Sequence, residues 1–559
     1  MARSSQTHIQ AGQRSNLLAA TNAPAHTAVR MLMGEPGLIL VLMIVGMLAH
    51  AFNMLDMPAF TFNGDEGIYS GQALAVLNAG RLAPYTYWYD HAPAGWIMLA
   101  AWMAVTGGPH SFGGVIDSGR VLMLLLHLAM IHRLYRVARA CGCGPAPAAL
   151  ATLVFSLSPL AIFYQRPINL DNMMLFWVLV SLDLLLDGQG RLSRVTVSGF
   201  CFGVALLTKE TAIFLLPAML FIAVRERRRH QGRFAVIGWV LPMMMLTSWY
   251  PLYAALKGEL LPMAFTASLF GDTRPHVSLI ETLLWQSKRD GGGMFNLDNQ
   301  FWHMVRADWM VRDPILLVGG AVAIALNLLR GIRSRQVLAV ALLGLFPLYY
   351  LARGGLVFNF YIVFAIPFFC LNIAVLLAPL WARIPRWAGA LVVATIAGAL
   401  VVTYWQAGTT QPLYTNRSSE AGRAAIAWIR QSLPAQSVIV ADDSFWPDLR
   451  EPKPGASAFP NVHSHWKVGS DPEVREGIFH NDWHSVDYLI MTPGLAKTFA
   501  EANNQVALEA LQHAHLIQRW VADGAEVELW QVDKSSAWTI GKPNILSAAS
   551  LSIRTPKQL

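Results

Sequence analysis

Apolar runs close to 20 residues long recur along the chain from Leu38 to Trp405, separated by short polar segments. A helix rises about 1.5 Å per residue, so a run of that length crosses the roughly 30 Å hydrocarbon core of a bilayer. The pattern predicts 11 membrane helices, at about 36–55, 120–139, 146–163, 172–187, 196–207, 211–224, 234–256, 314–329, 336–352, 356–378 and 388–405. The stretch 196–224 also reads as one long helix with Lys209 and Glu210 buried in its middle. Two short spans meeting at an outer Lys-Glu corner are preferred, because they keep "RERRRHQG" on the side where the other cations gather. The run "WIMLAAWMAVTG" (96–107) is short for a span and reads as a helix lying in the outer interface, next to the aromatics of "YTYWY" (85–89).

Beyond residue 405 the pattern changes. "EAGRAAIAWIRQSL" has the period of a helix, whereas "SVIVADD", "VDYLIMT" and "VELWQV" read as strands. The expected architecture is therefore an all-α polytopic membrane protein with a small extracytoplasmic α/β domain. Residues 1–35 form a disordered cytoplasmic N-terminus, 36–405 the membrane domain with outer loops at about 56–119 and 257–313, and 406–559 the C-terminal domain. Composition agrees: 54% hydrophobic and 14% charged residues, with a mean hydropathy of +0.40, do not suit a soluble globule.

Charge sets the orientation. The proposed cytoplasmic loops carry 15 arginines and the short outer connections only Arg166, Lys209 and Arg353, the bias expected of a protein with its positive loops inside. This places the N-terminus in the cytoplasm and the C-terminal domain outside. The net charge of +8 does not point to nucleic acid, since the cations are dispersed between apolar runs. The four cysteines read as free thiols.

The remaining ionisable residues collect on the outer side: Asp65, Glu66, Asp90 and His91; Arg166 and Asp171; Lys209 and Glu210; Arg353; and, in the large loop, Asp272, Arg274, His276 and His303. Charges near a membrane are costly without a partner or a role. This mixture suits a phosphate-bearing lipid substrate, with acids for base chemistry or a divalent metal and cations for phosphate. Structural roles stand beside the chemical ones. Asp65 and Asp171 could cap helices, Lys209-Glu210 could be an ion pair at a turn, Arg120 could snorkel, and His303 could sit among interfacial aromatics. His463, His465, His480 and His484 fit no tight metal spacing and read as surface histidines. The triglycine in "KRDGGGMFN" (288–296) reads as a mobile lid or a plain linker.

The order of several segments resembles the dolichyl-phosphate-mannose protein mannosyltransferase superfamily, which includes bacterial aminoarabinose lipid A transferases and shares the GT-C membrane fold. The segments are "DEGIY" (65–69), "YDHAPAGWIML" (89–99), "DSGRVLMLLLHLAMIHRLYRVAR" (117–139), "SLSPLAIFYQRPINLDNMMLFWVL" (156–179), "GVALLTKETAIFLLP" (203–217) and the Tyr361-bearing "NFYIVFAIPFFCLNIAVL" (359–376). The resemblance implies Asp65 as catalytic base with Glu66 beside it, and Asp171 as the acid organising the donor phosphate or a metal. It implies substrate contacts from His91, Arg120, Lys209, Glu210, Arg353 and Tyr361. Asp65, Asp171 and His303 are the candidate ligands of a divalent metal of unspecified identity, and no nucleotide cofactor is expected. "HAP" lacks one proline of the family's turn, and the tail lacks the sugar-binding repeats of eukaryotic members.

The implied reaction is single-sugar transfer from a polyprenyl phosphate to a lipid, glycan or protein acceptor at the outer face of a bacterial plasma (inner) membrane, with inversion. En bloc glycan transfer is the alternative within the enzymes. A transporter is disfavoured because the charges lie at one face rather than at mid-span.

Overall fold

The computed structural model describes residues 34–186, 191–226, 232–271, 276–451, 453 and 455–535. The expected disordered N-terminus up to residue 33, and Asp272 and Arg274, lie outside the described residues.

A helix occupies every position where the hydropathy pattern predicts a span. Glu35–Ala51, Leu170–Leu186 and Leu192–Thr208 have 17 residues each, at the lower end of what a crossing needs. By length and hydropathy together, five described helices qualify as spans, or six if a bent pair counts as one. That pair, Pro145–Leu157 and Pro159–Gln165, bends by 57°. A residue preceding proline is disfavoured in the α region, and Ser158 accordingly adopts ψ 125. Its hydroxyl donates to Asp313 Oδ2 at 2.6 Å, and Asp313 in turn caps the helix Pro314–Gly331 through Leu316 N–H.

The chain between 192 and 226 is not one continuous helix. Lys209 is extended (φ −154, ψ 128) and ends the first helix. A 3₁₀ turn, Glu210–Leu215, then leads into Leu216–Glu226. The corner delivers Lys209 and Glu210 to a cleft rather than leaving them in mid-helix.

The segment 56–119, expected to be an outer loop, holds two helices. Asp65–Ala79 begins at the polar pair, and Ala94–Val105 buries Trp96, Leu99 and Met103 completely. At 12 residues the second is only about 18 Å long. The C-terminal region is a five-stranded mixed sheet in the order β2-β1-β3-β5-β4. β1 (Ile439–Ala441), β2 (Val462–Ser464) and β3 (Tyr488–Met491) are parallel, while β5 (Ala525–Val532) pairs antiparallel with β3 and β4 (Ala514–Ala522). This sheet shares a core with the segment 56–119: Phe60, Tyr69, Trp96 and Leu99 form one cluster with Ile429, Ile439, Phe445 and Val527. Full burial of such side chains contributes about 1.5–3 kcal/mol each, so the joint between loop and sheet is a stable one.

Candidate active site

Asp65 is the first residue of its helix, and its carboxyl is not spent on capping. The N-cap is Gly64, with no side-chain cap bond, and Asn63 Oδ1 accepts from Asp65 N–H at 3.2 Å. Among the described residues, the one hydrogen bond to the Asp65 carboxylate is from Tyr69 Oη, at 3.4 Å. Burial is the main reason its pKa lies above the ordinary value. Lys209 and His91 pull it down, and Asp90 and Asp171 push it up. A half-buried, weakly bonded carboxylate with a raised pKa is suited to accepting a proton.

Glu66 points the other way. It is fully buried and takes two bonds from Arg120, Nε to Oε1 at 3.0 Å and Nη2 to Oε2 at 2.6 Å, plus one from Ile168 N–H. Arg120 also donates to the carbonyls of Met54 and Pro58. The neighbouring acids thus divide, Asp65 within electrostatic reach of Lys209 and His91 and Glu66 into the scaffold. Their separation follows from the helix, which turns successive side chains by about 100°.

Beside Asp65 lies a buried pair, Lys209 Nζ to Asp171 Oδ2 at 2.5 Å. The ammonium stands over the Tyr361 ring at 4.6 Å and the Phe360 ring at 5.5 Å. Glu210 turns to the turn at "HAP", where its carboxylate meets His91 Nδ1 at 2.9 Å and accepts from Ala92 N–H at 2.6 Å. Burial opposes a charge on His91, but Glu210 more than offsets it with help from Asp90, and the imidazole pKa is raised.

His91, Lys209, Glu210, Arg353 and Tyr361 line one cavity of about 840 Å³. Its further wall comes from the segment 257–313, through Lys288, Arg289, Asp290 and Gly293. The triglycine segment is docked there: Gly291 N–H donates to Gly354 C=O at 2.8 Å, and Asp290 bridges to Gly355. Arg289 stacks on Trp285 at 4.2 Å and Arg353 on Tyr350 at 4.1 Å. Neither forms an ion pair with a carboxylate among the described residues, which leaves their charge available to an anion. Lys288 and Arg289 escape sequence reasoning because attention falls on the glycines that follow them.

The three residues proposed as metal ligands are not assembled. Among the described residues no group of three or more His, Cys, Asp or Glu is arranged to hold a metal ion. Asp171 is paired with Lys209, and His303 is exposed on the short helix Gln300–Met304. The site as built does not fit a metal. The four C-terminal histidines also separate. His480 and His484 are exposed, but His463 is 5% exposed and bonds Tyr85 Oη at 2.8 Å through Nδ1. Burial brings the His463 pKa down to about 4.

Comparison with known proteins gives the architecture a class. Residues 90–250 match the family model described as dolichyl-phosphate-mannose-protein mannosyltransferase. No curated protein matches the chain in sequence. Among solved structures, ArnT from Cupriavidus metallidurans bound to undecaprenyl phosphate is 16% identical, covering 90% of this chain and 98% of its own, with a TM-score of 0.52. The oligosaccharyltransferase of Archaeoglobus fulgidus in the apo form is 11% identical, covering 86% of this chain and 73% of its own, with a TM-score of 0.53. In fold, the chain is of the GT-C type. The cleft described above is therefore the candidate active site of a GT-C fold, and the charges on its wall are the place to look for its chemistry.

Proposed function

We propose that the protein transfers a single sugar from a polyprenyl-phosphate donor to an acceptor hydroxyl on the outer side of the plasma membrane. The observation that carries the reading is the grouping of charge at one cleft. Asp65, a carboxylate with a raised pKa, lies within electrostatic reach of the cleft residues Lys209 and His91; Arg289 and Arg353, cations without carboxylate partners among the described residues, line the cleft itself. Asp65 takes the acceptor proton as the oxygen forms its bond to the anomeric carbon. The bond from that carbon to the phosphate oxygen breaks, and the polyprenyl phosphate leaves with the electron pair. A single displacement of this kind inverts the anomeric centre.

Arg289 and Arg353 neutralise the charge that develops on the phosphate, with Lys288 beside them. Lys209, held by Asp171 under Tyr361, keeps Asp65 from becoming too basic. His91 and Glu210 fix the turn that closes the cleft. Glu66 and Arg120 position the helix that carries Asp65. The likeness in fold to a protein bound to undecaprenyl phosphate supports the donor class. The arginine bias supports an N-terminus in the cytoplasm and a C-terminal domain outside it.

The test uses purified protein in lipid with a panel of polyprenyl-phosphate sugars and follows release of polyprenyl phosphate. The expected outcome is release by the wild type and a fall of at least about 100-fold in Asp65→Asn, within the range for loss of a general base. Equal release by both would move the base elsewhere. Activity only with an oligosaccharide donor would select en bloc glycan transfer.

A further inference from the structure

One group of charges stands outside the chemistry of the cleft: Arg133, Arg136 and Arg139, on the single helix Val115–Ala140. They occupy its far end. Arg136 is 16 residues beyond Arg120 on that helix, and Asp183 is 12 residues beyond Asp171 on Leu170–Leu186. At 1.5 Å per residue these separations are about 24 Å and about 18 Å. A second cavity, of about 850 Å³, opens there between these two helices and the start of Glu35–Ala51. Its lining includes Glu35, Arg136, Arg139 and Asp183, with Ile39 and Leu40 beside them.

Charged side chains at the end of a span often do no more than reach for water. These are held. The Asp183 side chain is 4% exposed and accepts from Arg133 Nη1 at 2.8 Å and Arg136 Nε at 2.9 Å. Glu35 pairs with Arg139 Nη2 at 2.8 Å. Three guanidinium groups therefore share two carboxylates, which leaves an excess of positive charge. Arg136 spends only its Nε on Asp183, and among the described residues its terminal amino groups bond no acceptor. Tyr135, 1% exposed, also lines the cavity. Its hydroxyl lies near Glu35 but forms no hydrogen bond of good geometry among the described residues. The apolar side of the cavity continues along the helix Glu35–Ala51, where Leu40, Ile44 and Met47 are all exposed and share one face.

We propose that this cavity binds an anionic phospholipid of the bilayer, its phosphate on Arg136 and Arg139 and an acyl chain along Leu40, Ile44 and Met47. Arginine pairs with phosphate through two parallel hydrogen bonds, and basic pockets between membrane helices take up acidic head groups. The volume lies within the range of ligand pockets. A soluble phosphate compound would gain nothing from the apolar strip. A zwitterionic phospholipid would bring its own cation to a site already rich in them. On the topology proposed above the site belongs to the cytoplasmic leaflet, opposite the sugar-transfer cleft, and it does not depend on that reading. The bound lipid ties together the ends of three helices, two of which carry Arg120 and Asp171 nearer their other ends.

The experiment uses the full chain purified in detergent, with phosphatidylglycerol as the probe and phosphatidylcholine as the zwitterionic reference. Retained lipid is counted by native mass spectrometry, and thermal unfolding is followed with each lipid added. Phosphatidylglycerol is expected to bind in preference and to raise the unfolding temperature above that with phosphatidylcholine. Arg136→Gln is expected to weaken phosphatidylglycerol binding by about 10-fold, as for one charged hydrogen-bond partner. Because that change also loosens Asp183, a second variant is read for the opposite sign. Glu35→Gln removes the carboxylate that competes for Arg139, and it is expected to bind phosphatidylglycerol about two- to fivefold tighter, the range of a partly exposed charge pair. Damage to the fold would not produce that gain. Arg333→Gln, which removes an exposed cation outside the cavity, should leave binding unchanged.

Equal binding of the two lipids overturns the inference, and so does wild-type affinity in Arg136→Gln or weaker binding in Glu35→Gln. A loss in Arg333→Gln as large as that in Arg136→Gln reduces the effect to general attraction between a basic face and an acidic membrane, and the site falls. Displacement of phosphatidylglycerol by undecaprenyl phosphate, with an affinity that drops in Arg136→Gln, gives the cavity to a polyprenyl lipid and overturns the phospholipid assignment.

Discussion

Two adjacent acids with opposite fates define the site at the scale of the residue. Asp65 lies near Lys209 and His91 with a pKa raised by burial. A base works only when deprotonated, so transfer should fall as pH drops through the Asp65 pKa, at a higher pH than an ordinary carboxylate would give. Lys209→Met removes the largest charge that lowers that pKa, and the acid limb of the pH–rate profile should then move further up. Glu66 is bound to Arg120 with both side chains at 0% exposure. Breaking one partner of a buried pair leaves an uncompensated charge and costs about 3–5 kcal/mol. Glu66→Gln should therefore lower the unfolding temperature in detergent while leaving the acid limb in place. Asp65 was legible in the sequence as a carboxylate beyond a membrane helix. That Asn63, not Asp65, serves the helix start was not, because both residues are good caps and only the backbone path chooses between them.

Among the elements, the joint between the Asp65 helix and the loop after β1 is the most sensitive. Gly67→Ala would drive a methyl group into the Asp443 carbonyl, and the loop must move. The expected result is a loss of transfer larger than the loss of stability, read by comparing activity with thermal unfolding of the same preparation. The same loop has a pH signature. Burial raises the Asp443 pKa to about 6, against the lowering effects of His465 and Ser464. The folded state thus holds a proton there that the unfolded chain, with an ordinary value of 3.8, gives up earlier. Its contribution is full below about pH 4 and is lost as pH rises through about 6. Helix positions were legible because apolar runs are long and regular. The corner at Lys209 was signalled by a charged pair inside an apolar run, whereas 146–163 reads as one span and its bend at Ser158 emerged only in the structure.

Across the whole molecule, the arginine bias and the proposed outer position of the site make a topology that can be checked. Cysteine introduced at Arg333 should be labelled by an impermeant thiol reagent only after the membrane is opened. Cysteine at Lys453 should be labelled from outside without opening it. The reverse pattern would invert the orientation and remove the site from the face where a polyprenyl-linked sugar is expected.

The sequence by itself determined the membrane class, the helix positions, the change to α/β structure in the tail and the candidate base. Each of these is written in local periodicity, or in a charge whose burial is expensive wherever it occurs. Only the tertiary structure decided that Glu66 belongs to Arg120, that Arg289 lines one cleft with Arg353, and that Asp443 packs against Gly64 and Gly67. Asp443 lies 379 positions beyond Gly64 in the chain. A meeting at that separation depends on the packing of a sheet edge against a glycine-lined helix, which no local pattern encodes.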